Sequence, residues 1–158
     1  MKNVDKRFDL KKYTLRSKII ELFNVGDNAI FQINKYRLHC FIPNFTNYGF
    51  AESWDKYGGS NIKGKTIKVY LQLSVTNLEL IKSSNQKLTK LSGFRHQVVG
   101  KIIGKLNIGA PDEKLIVKCG IPIIINPPNK PEYKKYEIGD WVESAGRLDM
   151  YKVENRGD

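Results

Sequence analysis

Aromatic and basic side chains alternate with apolar ones along residues 141–151, and their chemistry suits contact with planar rings and phosphate groups. In an extended strand Trp141, Arg147 and Tyr151 project from one face, because successive side chains point to opposite sides. That outward face also carries Glu143, Ala145 and Asp149, and the opposite face, expected in the core, carries Val142, Ser144, Gly146, Leu148 and Met150. Aromatic rings stack on other rings, and guanidinium groups pair with phosphate. We interpret the outward face as a candidate binding surface.

Glycine residues predict how this strand begins and bends. Gly139 and Asp140 are typical of a turn, since glycine adopts unusual backbone angles and aspartate bonds its own backbone. Gly146, inside the strand, predicts a bulge or a sharp bend, which is common where a sheet curls into a barrel. We therefore expect a curled sheet around this strand.

Two segments share residue types with a known family. The run from residue 136 to residue 148, Tyr-x-x-Gly-Asp-x-Val-x-x-x-Gly-Arg-Leu, resembles a strand of the OB-fold proteins that bind single-stranded DNA. Residues 94–101, Phe-Arg-His-Gln-Val-Val-Gly-Lys, resemble another strand of that family. The resemblance implies an OB-like small barrel and a role in binding single-stranded nucleic acid.

The charge balance is the strongest global feature of the chain. Its 158 residues carry a formal net charge of +11. The excess is +4 over residues 1–24, +3 over 25–82 and +4 over 83–115, whereas residues 116–158 are balanced. Such an excess favours a polyanionic partner, for which nucleic acid is the usual candidate. The length suits one ordinary domain or two very small ones.

Patterns typical of enzymes are absent from the sequence. We find no phosphate-binding loop, no nucleophile elbow and no dinucleotide fingerprint. The two histidines, His39 and His96, have no neighbouring cysteine cluster, and a zinc site needs about three or four clustered ligands. We expect packed or solvent-facing histidines, small buried thiols at Cys40 and Cys119, and neither a catalytic site, a metal nor a cofactor.

The same inventory suggests a cellular location. No apolar run reaches membrane-spanning length, and the charged N-terminal residues are not followed by an apolar signal core. Two cysteines are too few for a disulfide scaffold. We expect a cytoplasmic protein with reduced thiols.

Secondary structure follows from apolar periodicity. Residues 1–24 are interpreted as a basic arm and a short helix, in which Thr14 would cap residues 15–24. One face of that helix would carry Leu15, Ile19 and Leu22. Alternating apolar residues predict strands through most of the remaining chain. The exceptions are an aromatic loop at 44–61 and a polar segment at 83–92, interpreted as a loop or a short helix.

A short repeat suggests how the strands are organised. Cys40 and Cys119 each begin a Cys-x-Ile-Pro motif that is followed by a loop and a further strand. The repeat predicts two similar OB-like halves at 25–82 and 94–154, joined by a linker at 83–93. We expect an all-β fold with one short N-terminal helix, built as OB-like small barrels in tandem or as one composite barrel.

Further aromatic and basic residues complete the candidate nucleic-acid-binding set. Lys68 and Tyr70 lie opposite the apolar face of a predicted strand, and the others fall in basic or aromatic segments. Besides Trp141, Arg147 and Tyr151, the set comprises Lys68, Tyr70, Arg95, Lys101, Lys105, Tyr48 and Trp54.

These features favour a non-enzymatic protein that binds single-stranded DNA or RNA with low sequence preference. A positive groove with aromatic platforms is typical of such proteins, because every base has a face that can stack. The alternative is an accessory or inhibitory module that docks an acidic protein partner, which the acidic residues after position 131 fit better than a DNA groove does. A homodimer is a further option, since exposed sheet edges can pair.

Overall fold

The computed structural model describes residues 12–23, 26–43, 48–107, 113–127 and 135–153. These ranges form one sheet of nine strands together with one helix. The strands are β1 (Leu15–Phe23), β2 (Asn28–Ile33), β3 (Tyr36–Phe41), β4 (Thr66–Ile81), β5 (Lys87–Ser92), β6 (Arg95–Asn107), β7 (Glu113–Lys118), β8 (Pro122–Ile125) and β9 (Trp141–Lys152), and the helix is α1 (Tyr48–Tyr57). The predicted all-β, barrel-like fold is confirmed.

Five strands close a first ring. β1, β2 and β3 follow one another as antiparallel neighbours, and β4 returns to lie antiparallel beside β1. β9 fills the gap between β3 and β4, running parallel to β3 and antiparallel to β4. Three consecutive antiparallel strands with the fourth beside the first make a Greek key. A five-stranded Greek-key ring is the architecture of an OB-like barrel.

A second ring repeats this plan with the remaining strands. β6, β7 and β8 are consecutive antiparallel neighbours, and β9 lies antiparallel beside β6. β4 closes the ring between β8 and β9, and it runs parallel to β8. β9 is thus the fourth strand of the second ring and the strand that closes the first. β4 is the fourth strand of the first ring and the strand that closes the second. Each ring is completed by a strand of the other.

β4 and β9 form a long antiparallel ribbon that belongs to both rings. A bulge between Val75 and Asn77 shifts the register of β4 against β9. Gly146 of β9 lies opposite Val75, and a β-carbon there would collide with the backbone carbonyl of Ser74. The irregularity expected at Gly146 therefore coincides with a bulge in the opposite strand, at a point where the two backbones lie close together.

A single main core joins the two rings. Phe31 and Leu38 enter it from the first ring, and Val117 and Ile123 enter it from the second. The predicted inward residues of β9 are all buried: Val142, Ser144, Gly146, Leu148 and Met150. The thiols of Cys40 and Cys119 are also fully buried and unpaired, as predicted.

The predicted N-terminal helix is wrong, because residues 15–24 contain the strand β1. Ser17 and Ile19 are buried at the period of a strand, and a register shift between Ile19 and Glu21 then brings Leu22 to the same side. The resulting three-residue spacing between Ile19 and Leu22 imitates the apolar face of a helix.

The helix of the described chain lies within 44–61, where the sequence predicted a loop. Phe50 and Ser53 are buried and Trp54 packs partly against the core, a spacing that places all three on one helical face. Glycines with positive φ at the two positions after the helix end it. Dense aromatic and glycine residues made this segment look like a loop.

β5 is the second departure from the expected secondary structure. The segment 83–92, interpreted as a loop or a short helix, contains a strand that pairs antiparallel with β6. Within the described ranges β5 pairs with no other strand, so it forms an edge of the sheet. Five of its six residues are exposed, and without a buried face it lacks the alternation that identifies a strand.

The Cys-x-Ile-Pro motif occupies different places in the two halves. Cys40 lies inside β3, whereas Cys119 lies in the turn that precedes β8. The likeness between the rings is therefore one of strand order and not of this motif, and the boundaries at 25–82, 83–93 and 94–154 stay a prediction. In the ranges that the structure describes, no helix is long and apolar enough to cross a membrane.

Candidate nucleic-acid interface

Half-buried aromatic side chains gather on the outward surface of the first ring. His39 and Phe41 project outward from β3, because the intervening residues of this strand enter the core. The His39 ring centroid lies 4.7 Å from that of Phe94 and 5.4 Å from that of Phe23. The Phe41 and Phe94 ring centroids are 6.0 Å apart. We call Phe23, His39, Phe41, Phe94 and Arg147 the aromatic face.

Arg147 lies over one end of this group. Its guanidinium carbon is 4.1 Å from the centroid of the Phe41 ring, within the range of a cation–π contact. Nε donates to Asp149 Oδ1 at 2.7 Å, and Nη2 donates to Asp149 Oδ2 at 3.1 Å. The hydrogen bonds to Asp149 raise the pKa of Arg147. Two parallel bonds and one ring contact fix the guanidinium plane, while its other N–H groups are not used by Asp149.

Asp149 was predicted to face solvent, and this prediction is wrong. The residue is 1% exposed, and Oδ2 also accepts a hydrogen bond from Ser74 Oγ at 2.9 Å. Its backbone lies in register with Phe41 of β3 on one side and with Gln72 of β4 on the other. Because β9 is flanked by strands on both sides and Arg147 lies above, a residue on its outward face is still covered.

The turn between β5 and β6 delivers Phe94 to this surface. Gly93 has a φ of 54°, a left-handed conformation that reverses the chain just before Phe94. The Phe94 carbonyl accepts a hydrogen bond from the backbone N–H of Leu148 at 2.9 Å. It also lies 2.9 Å from Nδ1 of His96. Phe94 is therefore held against β9 through its own backbone.

Basic side chains surround the aromatic face. Arg37 precedes His39 and Phe41 on the same outward row of β3, and it is exposed. Arg95 is exposed and lies in register with Arg147. Burial lowers the pKa of His39, and the positive charge of the exposed Lys90 nearby lowers it further. His39 is therefore neutral at pH 7, and positive charge comes from lysine and arginine.

The corresponding surface of the second ring is sealed. Phe41 of β3 and Ile124 of β8 occupy equivalent positions, because each lies in register with the strand that closes its ring. Ile124 is 1% exposed, whereas Phe41 is half-buried. Tyr13 and Tyr70 pack against the small apolar cluster to which Ile124 belongs. Among the described residues, the first ring presents open aromatic side chains at this position and the second does not.

Tyr70, Tyr151 and Lys68, all predicted to bind nucleic acid, lie near the sealed surface. The rings of Tyr70 and Tyr151 stack with centroids 5.1 Å apart and an interplanar angle of 9°. Burial raises the pKa of both phenols, to about 12 for Tyr151. Lys68 is exposed two residues before Tyr70 on β4. The two rings therefore cover part of each other, and Tyr70 also packs against the neighbouring apolar cluster.

Trp141, Lys101 and Lys105 lie toward the opposite end of β9 from Tyr151. Trp141 is half-buried and in register with the exposed Lys101 of β6. Nζ of Lys105 donates to the backbone carbonyl of Tyr136 at 2.6 Å. Trp141 and Arg147 are six residues apart, or about 20 Å along a straight strand. The structure therefore does not bring Trp141 next to the aromatic face.

The two candidates from the aromatic segment belong to α1. Trp54 packs partly against the main core, so its ring is only partly available to a ligand. Tyr48 is the first residue of the helix, and its side chain lies outside the described residues. Of the predicted set, Arg147 forms part of the aromatic face and Arg95 lies beside it.

Four members of the aromatic face were not among the residues predicted to bind: Phe23, His39, Phe41 and Phe94. For β3 a signal was present, because assigning alternate residues to the core places His39 and Phe41 outside. Phe94 begins the second segment that resembles an OB-fold strand. No local pattern indicated that these side chains meet Arg147, since the contact depends on the parallel pairing of β3 with β9.

The thiols and the second histidine are buried, although His96 lies beside Phe94. Burial raises the pKa of both thiols, to about 12 for Cys119. His96 is 1% exposed, and burial lowers its pKa. Within the described ranges no group of three or more His, Cys, Asp or Glu residues is placed to hold a metal ion. The aromatic face offers ring surfaces and hydrogen-bond donors, and the exposed basic residues around it add positive charge.

Neither the protein-family models nor the curated proteins compared with the chain include a match.

Proposed function

We propose that this protein binds single-stranded nucleic acid without catalysing a reaction, and that the aromatic face of the first ring is the contact surface. The observation that carries the proposal is the group of half-buried rings and one fixed guanidinium on the outward side of β3. In OB-fold barrels the face formed by the second and third strands binds oligonucleotides, and β2 and β3 hold those places here. The resemblance seen in the sequence points to the same class.

Stacking would supply the contact with bases. Phe41 and Phe94 keep part of their rings accessible, and their neighbours hold them in place. A base that stacks on such a ring contributes about 1–3 kcal/mol whatever its identity, because every base has a π-face. The guanidinium of Arg147 is a second planar surface, and it keeps N–H groups for hydrogen bonds. This mode of contact implies low sequence preference, with DNA and RNA both accepted.

The charge of the phosphates would be met mainly by other residues. Arg147 is already paired with the buried carboxylate of Asp149, so its charge is largely offset. Three exposed basic residues near the aromatic face would attract the phosphates of the nucleic acid: Arg37, Lys90 and Arg95. Each phosphate neutralised on a single strand contributes about 0.7 to the slope of log K against log salt concentration.

A fluorescence titration with labelled oligonucleotides of about 12 nucleotides, the size bound by one OB fold, tests the proposal. We expect binding at about 50 mM salt, weakening at about 200 mM, with similar affinity for DNA and RNA of mixed sequence. One oligonucleotide should bind per chain, because the equivalent surface of the second ring is sealed.

A matched pair of variants locates the site. Phe41→Leu keeps an apolar side chain and removes the stacking surface, and it should weaken binding by about 5- to 150-fold. Tyr70→Leu makes a comparable change on the sealed surface and should leave the affinity of the folded protein unchanged. Equal losses for both variants, or no binding at low salt, would contradict the proposal.

A further inference from the structure

Among the described strands, β5 lies at an edge of the sheet. It pairs with β6 on one side, and none of the described strands pairs with its other side. The outer edge of a strand carries backbone N–H and C=O groups that are open to another chain. Five of the six residues of β5 are exposed, and the sixth, Leu88, packs partly against the main core.

The edge is strongly basic. No acidic residue occurs between Glu79 and Asp112, a segment that holds six lysines and arginines. Lys87 and Lys90 lie on β5 itself and are exposed. Leu91 follows them and is 50% exposed, which leaves an apolar side chain beside the charges.

These charges oppose the pairing of β5 with a second copy of itself. Antiparallel pairing centred on the strand would place Lys87 of each copy diagonally beside Lys90 of the other, on the same face of the sheet. Like charges on neighbouring strands destabilise pairing, and lysines on an edge are a common protection against self-association. The net charge of +11 adds repulsion between whole molecules. A partner for this edge must therefore carry the opposite charge.

We propose that β5 binds an acidic, extended segment of another protein, which adds to the sheet as a further strand. Backbone hydrogen bonds to the free edge would supply affinity, as in other cases of strand addition. Acidic residues opposite Lys87 and Lys90, and an apolar residue near Leu91, would supply specificity. The proposal rests on the open edge of β5 and not on the aromatic rings. Lys90 is shared between the two surfaces, because it lies on β5 and also near His39.

The probe is a fluorescein-labelled peptide of alternating glutamate and valine, with about eight residues so that it covers a whole strand. Its control is the same peptide with the two central valines replaced by proline, which keeps the charge and removes backbone donors. We expect the first peptide to bind at least about tenfold more tightly than the second. Hydrogen exchange should slow at backbone amides of β5 in its presence.

Charge-reversal variants locate the contact. Lys87→Glu/Lys90→Glu should weaken binding of the alternating peptide at least about tenfold. Lys35→Glu/Lys65→Glu changes the net charge equally at exposed positions away from β5 and should alter affinity by less than about twofold. A melting curve establishes that both variants are folded.

Several results would overturn this inference. Equal binding of the two peptides would mean that only charge is recognised, and unchanged exchange at β5 would place the peptide elsewhere. Sedimentation as a dimer that the β5 variant converts to a monomer would identify a second copy as the occupant. Loss of oligonucleotide binding by the β5 variant, with peptide binding intact, would assign the edge to nucleic acid.

Discussion

Replacing Arg147 with alanine should destabilise the fold, because it leaves the carboxylate of Asp149 without its charged partner. Asp149 is 1% exposed, and its other side-chain bond comes from the hydroxyl of Ser74. Removing one partner of a fully buried ion pair costs about 3–5 kcal/mol. The Arg147 side chain is 46% exposed, so water can replace part of its interaction. We therefore expect a loss of about 2–3 kcal/mol in the free energy of unfolding.

Thermal unfolding monitored by circular dichroism measures this effect. For a chain of this length 1 kcal/mol corresponds to about 2–4 °C, so Tm should fall by about 4–12 °C. The double variant Arg147→Ala/Asp149→Asn removes the buried charge as well and should recover about 1–2 kcal/mol. This recovery separates the cost of an unpaired carboxylate from the loss of the Phe41 contact.

A surface ion pair provides the control for this prediction. Nζ of Lys63 lies 3.1 Å from Oε2 of Glu21, and both side chains are substantially exposed. Lys63→Ala should therefore change stability by less than about 1 kcal/mol. If Arg147→Ala shifts Tm no more than Lys63→Ala does, Asp149 is solvated and our description of a buried pair is wrong.

Three further predictions concern the packing of the fold. Gly146→Ala should cost about 1–3 kcal/mol, because the new methyl group meets backbone, whereas Gly49→Ala in α1 meets nothing and should be neutral or stabilising in urea unfolding. Stability should fall as the pH drops below about 6.5, because His96 then takes up a proton in the unfolded chain. In the folded state burial lowers the pKa of His96, so it stays neutral to a lower pH. A His96→Gln variant should show a flatter profile of Tm against pH. Cys40 and Cys119 should react slowly with a thiol reagent at pH 8 and rapidly in urea, because both are buried with raised pKa values, and rapid modification of the native protein would contradict their burial.

The local pattern of apolar residues was sufficient to predict a strand and its core residues where the strand has one buried face. The alternation along β9 correctly identified its core residues, and the predicted burial of Cys40 in β3 is also confirmed. The pattern failed where that condition is not met. β1 carries a bulge that shifts the alternation, and β5 has no buried face, so the first resembled a helix and the second a loop.

The candidate interface could be predicted only in part, because it depends on pairing between distant segments. Arg147 was identified from its position on β9, but its partners Phe41 and Asp149 were not. The contact with Phe41 requires β9 to lie parallel to β3, and no residue pattern in either strand specifies that neighbour. The likeness to OB-fold strands led to the prediction of a barrel-like fold. The binding of nucleic acid stays a proposal.

The exchange of closing strands between the two rings has a consequence for synthesis of the chain on the ribosome. The first ring needs β9, which begins only at Trp141, although its other strands are complete by residue 81. A nascent chain that has released β1 to β4 therefore still has a gap between β3 and β4, and Phe41 has not yet met Arg147. The aromatic face is assembled only when β9 leaves the exit tunnel, so a chain truncated before residue 141 would display neither a closed ring nor this surface.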